Sequence, residues 1–521
     1  MKRRRFLQSS SVLASSLLAG TSIARGQSQT QKAESVRRGL PNLLFILTDQ
    51  QRRDTMKAYG NARIKTPNLN RLAAQACVFD RPYVTQPVCS PSRGSLLTGL
   101  YPHTHGTTTN NIDLDSQVSV LVEMLRPREY VSAWYGKWHL GDEIFKQRGF
   151  DFFESTEDAY YAEHWSKDRD HNARSGYHDF LVKAGIQPDT PQGHSRDLAN
   201  RVPKELSKPA FLARKGIEFL EAQRSRPFVL YLSFLDPHTP FNSVNDHLYS
   251  PAEMEVPDTF YEKLDETVLE RTKSGRKHFD AGTYPNYEHI IDTAEDLKRV
   301  KARYWGKVTL VDEMVGRVLD HLTRLELSQN TIVVFTSEHG DMMGDHRLLF
   351  KGLMYEESAT VPLLLKLPAQ KQSLRISKPV SHIDLVPTLL DLMGQPIPVW
   401  LQGKSWSPYL LQGTQPPDQD VIVEWNEAGP GDVRSSDLLR MMVTPDGWKM
   451  SVEADSRGEL YNLAVDPRER TNLFYRDESI ATIQQLVLRI NRWQRSTGDS
   501  PLRFDSSRWR QHRSQISAAG R

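Results

Sequence analysis

Short runs of uninterrupted apolar residues punctuate the N-terminal part of the chain: Leu43-Leu44-Phe45-Ile46-Leu47, Phe228-Val229-Leu230-Tyr231-Leu232, Ile332-Val333-Val334-Phe335 and Pro362-Leu363-Leu364-Leu365-Lys366. Runs of that length without polar alternation are what parallel strands buried on both faces require. Residues 304–325 repeat apolar positions at helical spacing instead. Strands alternating with helices predict an α/β domain with a large, mainly parallel sheet flanked by helices, over residues 40–412. After a helix at 384–393 the pattern changes. Residues 413–419 form a Pro/Gly-rich junction, residues 421–425, 439–444 and 448–452 read as antiparallel strands, and 480–493 as a helix. This predicts a smaller C-terminal α+β domain at 418–500, then a basic, solvated tail at 501–521 carrying Arg503, Arg508, Arg510, Arg513 and Arg521. Residues 154–207 are polar, rich in His and Asp, and read as an insertion or long loop.

The first residues follow another logic. Lys2, Arg3, Arg4 and Arg5 precede Phe6-Leu7 and a small, mildly apolar run, the order of an export signal over residues 1–26. Arg3-Arg4 followed by Phe6-Leu7-Gln8 is similar to the twin-arginine type; the alternative is an ordinary secretory signal with extra basic residues. Cleavage is expected near Ala24 or Gly26, placing the mature protein in the periplasm or outside the cell, with no stable membrane anchor. The whole chain has a formal charge of +3, and five positive charges lie in residues 1–26, so the remainder is near −2. That balance gives no electrostatic case for nucleic acid. Only Cys77 and Cys89 are present, too few for a disulfide-dependent exported protein, although a single bridge is open on count. Cys77 reads as a small buried hydrophobe.

Three of the apolar runs end in chemistry: Asp49-Gln50, Asp236-Pro237-His238 and Glu338-His339-Gly340-Asp341. Ligands of parallel α/β sheets bind outside the carboxyl ends of the strands, so three such ends favour a metal or anion site. In Cys89-Ser90-Pro91-Ser92-Arg93-Gly94, Pro91 suits a first helical turn and Ser90 its cap. Cys89 would then face the helix's positive end with Arg93 one turn along, and spacing alone allows a cysteine nucleophile of lowered pKa.

Cys89-Ser90-Pro91-Ser92-Arg93 with the following Leu97-Thr98-Gly99 resembles the signature of type I sulfatases, of the alkaline phosphatase superfamily, in which the cysteine becomes formylglycine. Tyr135-Gly136-Lys137-Trp138-His139-Leu140-Gly141 resembles the family's second signature, Thr336 to Asp341 its late metal motif, and Phe350-Lys351-Gly352 its late lysine. Glu459-Leu460-Tyr461-Asn462-Leu463 through Asp466-Pro467 to Thr471-Asn472-Leu473 is similar to sulfatase C-terminal domains. The resemblance implies an alkaline-phosphatase-like fold and one divalent ion held by Asp49, Gln50, Glu338, His339 and the formylglycine at Cys89. It implies that Lys137, Lys351 and His238 hold the sulfate oxygens, that His238 is the general acid and His139 the base of the elimination step, and that Arg93 orients the formylglycine. Taken singly, Lys137 and Lys351 read as surface lysines and His139 as a structural histidine; their matched motifs reverse that. The implied partners are a sulfated glycan or other sulfate ester, the formylglycine-generating enzyme and the twin-arginine export machinery.

Glu338 departs from the family's usual Asp, which implies altered metal preference, slower turnover or an inactive member. An oxygen-dominated ligand set suits calcium, while the imidazole admits manganese. Asn110, Asn111 and His346 are further pocket candidates, as are the histidines between His164 and His194. Two competing readings remain: a phosphonate or phosphate monoester hydrolase on the same fold, and a sulfated-glycan-binding member with weak turnover.

Overall fold

The computed structural model describes residues 39–126, 129–157, 168–282, 291, 293–426 and 438–519. The expected export signal, with His164, lies outside the described residues. No helix among the described residues is long and apolar enough to cross a membrane.

The apolar runs form the middle of an eight-stranded sheet ordered β4-β3-β5-β1-β6-β7-β2-β8. Its strands are β1 (Asn42–Asp49), β2 (Cys77–Tyr83), β3 (Val131–Gly136), β4 (Phe152–Glu154), β5 (Phe228–Pro237), β6 (Thr331–Ser337), β7 (Leu363–Lys366) and β8 (Leu374–Ser381). β1 is central, parallel to β5 on one side and β6 on the other, and wholly buried, which is why its sequence shows no alternation. On one face Phe45, Tyr231 and Trp134 stack across β1, β5 and β3 at centroid distances of 4.9 and 5.1 Å. On the other, Leu44, Ile46 and Leu230 pack with Leu310, Val311 and Met314. Those last three lie on the helix Ala294–Arg324, which Thr293 and Asp296 begin with a reciprocal capping box.

The fourth apolar run departs from the expected direction. β7 is antiparallel to both β6 and β2, so it is the reversed strand of a mainly parallel sheet. The stretch read as a long loop is partly ordered structure: Glu154 ends edge strand β4, and helices Gly176–Lys183 and Arg196–Arg201 follow. Glu157, fully buried, pairs with Arg196 inside this segment and with Lys208 at the start of the core helix that follows it.

A second, antiparallel sheet has the order β12-β11-β10-β9, from β9 (Val421–Trp425), β10 (Leu439–Val443), β11 (Trp448–Glu453) and β12 (Gly458–Asn462). Helix Ile480–Thr497 packs on it through Ile483, Leu486 and Ile490. The basic tail is not a loose end. Residues Ser506–Ala519 are helical, and Trp509 inserts into the same core, its indole N–H donating to the Phe474 carbonyl at 2.9 Å. The Arg side chains hid that anchor, because one aromatic residue among charges leaves no periodic signal.

A buried ion cluster ties this sheet to the large-sheet region. Lys449 on β11 reaches Glu356 at 2.9 Å and Glu469 at 2.8 Å, with its side chain 1% exposed. Removing one member of such a cluster strands like charges in low dielectric. Lys449→Met is therefore expected to lower stability by about 3–5 kcal/mol in denaturant unfolding at neutral pH. A change within experimental error would remove the cluster from the account of how the two sheets are held.

Candidate active site

The nucleophile candidate begins a helix. Val88 is the extended N-cap of Cys89–Thr98, so Cys89 is the first helical residue, facing the end where backbone N–H groups are unpaired. Ser90 is not the cap. Its hydroxyl donates to the His139 carbonyl at 2.8 Å, and its backbone N–H is received by Asn110 Oδ1 at 3.0 Å. Both cysteines are free, which excludes the single bridge. Cys77 is buried beside Gln370, and burial pushes its thiol up to about 11.

Around Cys89 the strand ends converge. Asp49 ends β1, Glu338 and His339 follow β6, and Lys137 follows β3. Gly136 makes that last placement feasible: its φ is +110°, and a Cβ there would collide with the Ser233 carbonyl of neighbouring β5. Cys89 Sγ lies 3.4 Å from His339 Nε2, which is 3.1 Å from Glu338 Oε1 and 3.7 Å from Asp49 Oδ1. One ligand atom from each of Asp49, Cys89, Glu338 and His339 falls within 4.8 Å of all the others. Asp49 Oδ1 and Glu338 Oε1 are buried without a hydrogen-bond partner. Buried acceptors of that kind are costly unless a cation meets them, so the four residues fit a divalent ion.

The protein supplies cations of its own. Lys137 Nζ contacts Asp49 Oδ2 directly and lies 3.9 Å from Glu338 Oε1. Arg93 contacts Glu338 Oε2 through Nε and lies 3.8 Å from Asp49 through Nη2, while its Nη1 donates to the Lys137 carbonyl at 2.8 Å and the Ser233 hydroxyl at 2.9 Å. Burial would raise the carboxyl pKa of Asp49, but Lys137, His238 and Lys351 hold it well below the usual range. Burial opposes ionisation of Glu338 in the same way, and Arg93 outweighs it. Burial also opposes protonation of His339, yet the Cys89 sulfur and Glu338 raise its imidazole to about 9.

The remaining candidates reach the same place with different partners. His238 follows β5, its Nδ1 is 2.9 Å from the Thr239 carbonyl, and burial with Lys351 and Lys137 pushes its pKa well down. Neighbouring Asp236 points elsewhere, pairing with Lys307 at 3.1 Å. His139 has a left-handed backbone, φ 57°, and its Nε2 is 3.4 Å from Asn111 Oδ1. Lys351 Nζ donates to Gln50 Oε1 at 2.8 Å. Asn110 and Asn111 thus belong to the site, and His346 does not: its ring stacks on Tyr355 at 4.1 Å, where burial pushes it down to about 4. His178 and His194 pack on each other, 4.8 Å between centroids, and His194 Nε2 faces the Ile186 carbonyl at 3.0 Å.

Glu143 escaped the sequence reading, and Asp341 was named there only as part of a strand-end group. Glu143 receives the backbone N–H of Trp138 at 2.8 Å and of His139 at 2.5 Å, clamping the turn that carries Lys137 and His139. Asp341 receives Gln50 Nε2 at 2.5 Å and the backbone N–H groups of Met343 and Phe350 at 2.7 and 3.2 Å. Both act largely on backbone, which no side-chain motif announces; only the position of Asp341 behind a strand end singled it out.

Residues 41–395 match the family model described as sulfatase, and residues 344–496 one described as the C-terminal part of N-sulphoglucosamine sulphohydrolase. A choline-sulfatase of Rhizobium meliloti is 29% identical over 84% of this chain and 82% of its own. An N-acetylglucosamine-6-O-sulfatase of Bacteroides thetaiotaomicron is 26% identical over 90% of this chain and 88% of its own. The solved phosphonate monoester hydrolase of Silicibacter pomeroyi shares the fold, with a TM-score of 0.72 at 23% identity, over 89% of this chain and 96% of that one. The sulfatase model spans most of the chain and its matched segment holds every strand end that forms the site; this chain accordingly belongs to the type I sulfatases of the alkaline phosphatase superfamily, which are sulfuric ester hydrolases.

Proposed function

We propose that this enzyme is exported and hydrolyses sulfate esters of a glycan through a formylglycine made from Cys89. The observation that carries this reading is Cys89 at a helix N-terminus, within reach of three ion-binding side chains and the cations of Arg93 and Lys137. The glycan is supported by the name of the Bacteroides relative and by the signal-like first residues. Twin-arginine export would move the chain folded, so a formylglycine-generating enzyme must act on Cys89 beforehand, in the cytoplasm.

Hydrated, the aldehyde carries two hydroxyls on one carbon. Asp49, Gln50, Glu338 and His339 would hold a divalent ion beside it, calcium by the oxygen-rich set, with manganese admitted by the imidazole. When bound, the ion supplies positive charge that eases deprotonation of the attacking hydroxyl. That oxygen bonds to sulfur as the bond from sulfur to the substrate alcohol breaks. Lys137 and Lys351 offset the charge developing on the sulfate oxygens. His238, its Nδ1 facing Thr239, offers Nε2 to the departing oxygen; the bound sulfate's negative charge favours the protonated imidazole that burial disfavours in the free site. His139 then takes the proton of the second hydroxyl, the carbon–oxygen bond to sulfate breaks, and aldehyde and inorganic sulfate result. Water restores the hydrate. Arg93 keeps Glu338 and Asp49 ionised throughout.

Hydrolysis of aryl sulfate, aryl phosphate and aryl phosphonate by the matured protein tests the substrate class. Sulfate is expected to give the highest kcat/KM, and Cys89→Ala to lose about 10⁴-fold or more in kcat with an unchanged thermal midpoint. A phosphonate preference would overturn the sulfatase reading of the site. A chelator is expected to remove activity and calcium to restore it. Glu338→Asp pulls the carboxylate away from Arg93 and should weaken ion binding about 10-fold or more, with kcat/KM falling alongside. Turnover that instead rises from an undetectable level in Glu338→Asp would identify a degenerate, glycan-binding member.

A further inference from the structure

Pro237 and Pro240 bring no N–H to the turn that carries His238, so its carbonyls need donors from elsewhere. Lys307, fully buried on the helix Ala294–Arg324, supplies them. Its Nζ donates to the His238 carbonyl at 2.8 Å and to the Pro240 carbonyl at 3.1 Å, and pairs with Asp236 Oδ1 at 3.1 Å. The ammonium's three donors thus meet three acceptors, all within residues 236–240, and none is left for a substrate. Asn200 Nδ2 also donates to the Pro240 carbonyl at 3.1 Å, so losing Lys307 would fall mainly on His238.

The carbonyl between the two that Lys307 holds belongs to Thr239, and it faces His238 Nδ1 at 2.9 Å. A carbonyl only accepts, so Nδ1 carries a proton and Nε2 is the atom left for proton transfer. Stability alone does not call for a lysine here. Burial pulls its pKa down, Asp236 offsets this only in part, and a well-packed apolar pair in place of both would destabilise the fold little.

We infer that Lys307 is a positioning residue for proton donation by His238, clamping the two carbonyls that flank Thr239 so that Thr239 presents its own to the imidazole. This inference rests on the proposed role of His238 as general acid.

Dependence on the leaving group tests it. A para-nitrophenolate departs with little protonation, whereas a para-methoxyphenolate needs the acid. The kcat/KM for these two aryl sulfates is read in the parent, His238→Ala, Lys307→Met and Lys307→Met/Asp236→Asn. The last variant removes the carboxylate charge that Lys307→Met strands, and it carries the comparison should Lys307→Met not fold. In both Lys307 variants the nitrophenyl ester should lose about threefold and the methoxyphenyl ester about a hundredfold, the low end of a general acid's contribution. Lys307→Met added to His238→Ala should cost less than about twofold more, since both act through one proton. A readout independent of turnover is the Nδ1–H resonance of His238, assigned as the one missing from His238→Ala. It should exchange slowly in the parent and be lost to exchange in both Lys307 variants.

Equal losses on both esters in the Lys307 variants would overturn the inference, because a merely structural lysine affects all substrates alike. So would parent-like discrimination in the double variant, which would trace the effect to the stranded Asp236. If His238→Ala itself costs both esters equally, the general-acid role fails and the inference falls with it. If the parent turns over no sulfate ester, the proposed function fails, and the Nδ1–H resonance still decides the role of Lys307: its loss in the variants supports positioning, and its persistence overturns it.

Discussion

Asp49 and Glu338 are charged groups with no access to water, and the arrangement of the site follows from what that costs. An isolated buried carboxylate is penalised by several kcal/mol, so each must be met by positive charge or take up a proton. Arg93 and Lys137 meet one oxygen of each, and the remaining oxygens converge on a point shared with His339 and Cys89. Those leftover acceptors make the fit to a divalent ion a consequence of the packing. The direction of the pKa shifts agrees: both carboxyls are held down despite burial, because the neighbouring cations outweigh it.

Such a balance tolerates little movement, and the fold is built to prevent it. Asp49 and Glu338 hang from adjacent parallel strands whose ends are cross-linked by the Ser337 hydroxyl, which donates to the Thr48 carbonyl at 3.0 Å and receives Gln51 N–H at 2.9 Å. The helix of Cys89 is fastened to the same point, since Ser92 donates to the Glu338 carbonyl at 2.5 Å. Glu143 fixes the turn of Lys137 and His139 through backbone N–H groups. Cys89, the Asp49–Glu338–His339 cluster and Lys137 thus stand on separate elements joined by short polar links, the kind of preorganisation that electrostatic catalysis depends on.

How much of this the chain discloses depends on the kind of interaction. β1, β5 and β6 were legible because strands buried on both faces must be apolar throughout. β2 and β8 were not: Asp80 and Arg81 interrupt the first, and edge strand β8 alternates Arg375, Ser377 and Lys378 with apolar positions. The reversal of β7 has no sequence signal, because direction is set by where the preceding 338–360 segment leaves the chain. The strand-end residues of the site were legible as groups, and Asn111 was within reach. Glu143 and Asp341 were not assigned, since a carboxylate that grips backbone looks like any loop acid. Ser90 was misread as a cap because the same hydroxyl that caps a helix can bind a neighbouring loop, and only the position of His139 decides between them.

The central claim is the identity of the side chain at position 89. Mass spectrometry of the peptide containing Cys89, from active protein made where the maturation enzyme is present, measures it directly. The account predicts the aldehyde, trapped as an adduct by a hydrazine reagent, at an occupancy that scales with specific activity. Fully active protein carrying only the unmodified thiol would contradict it.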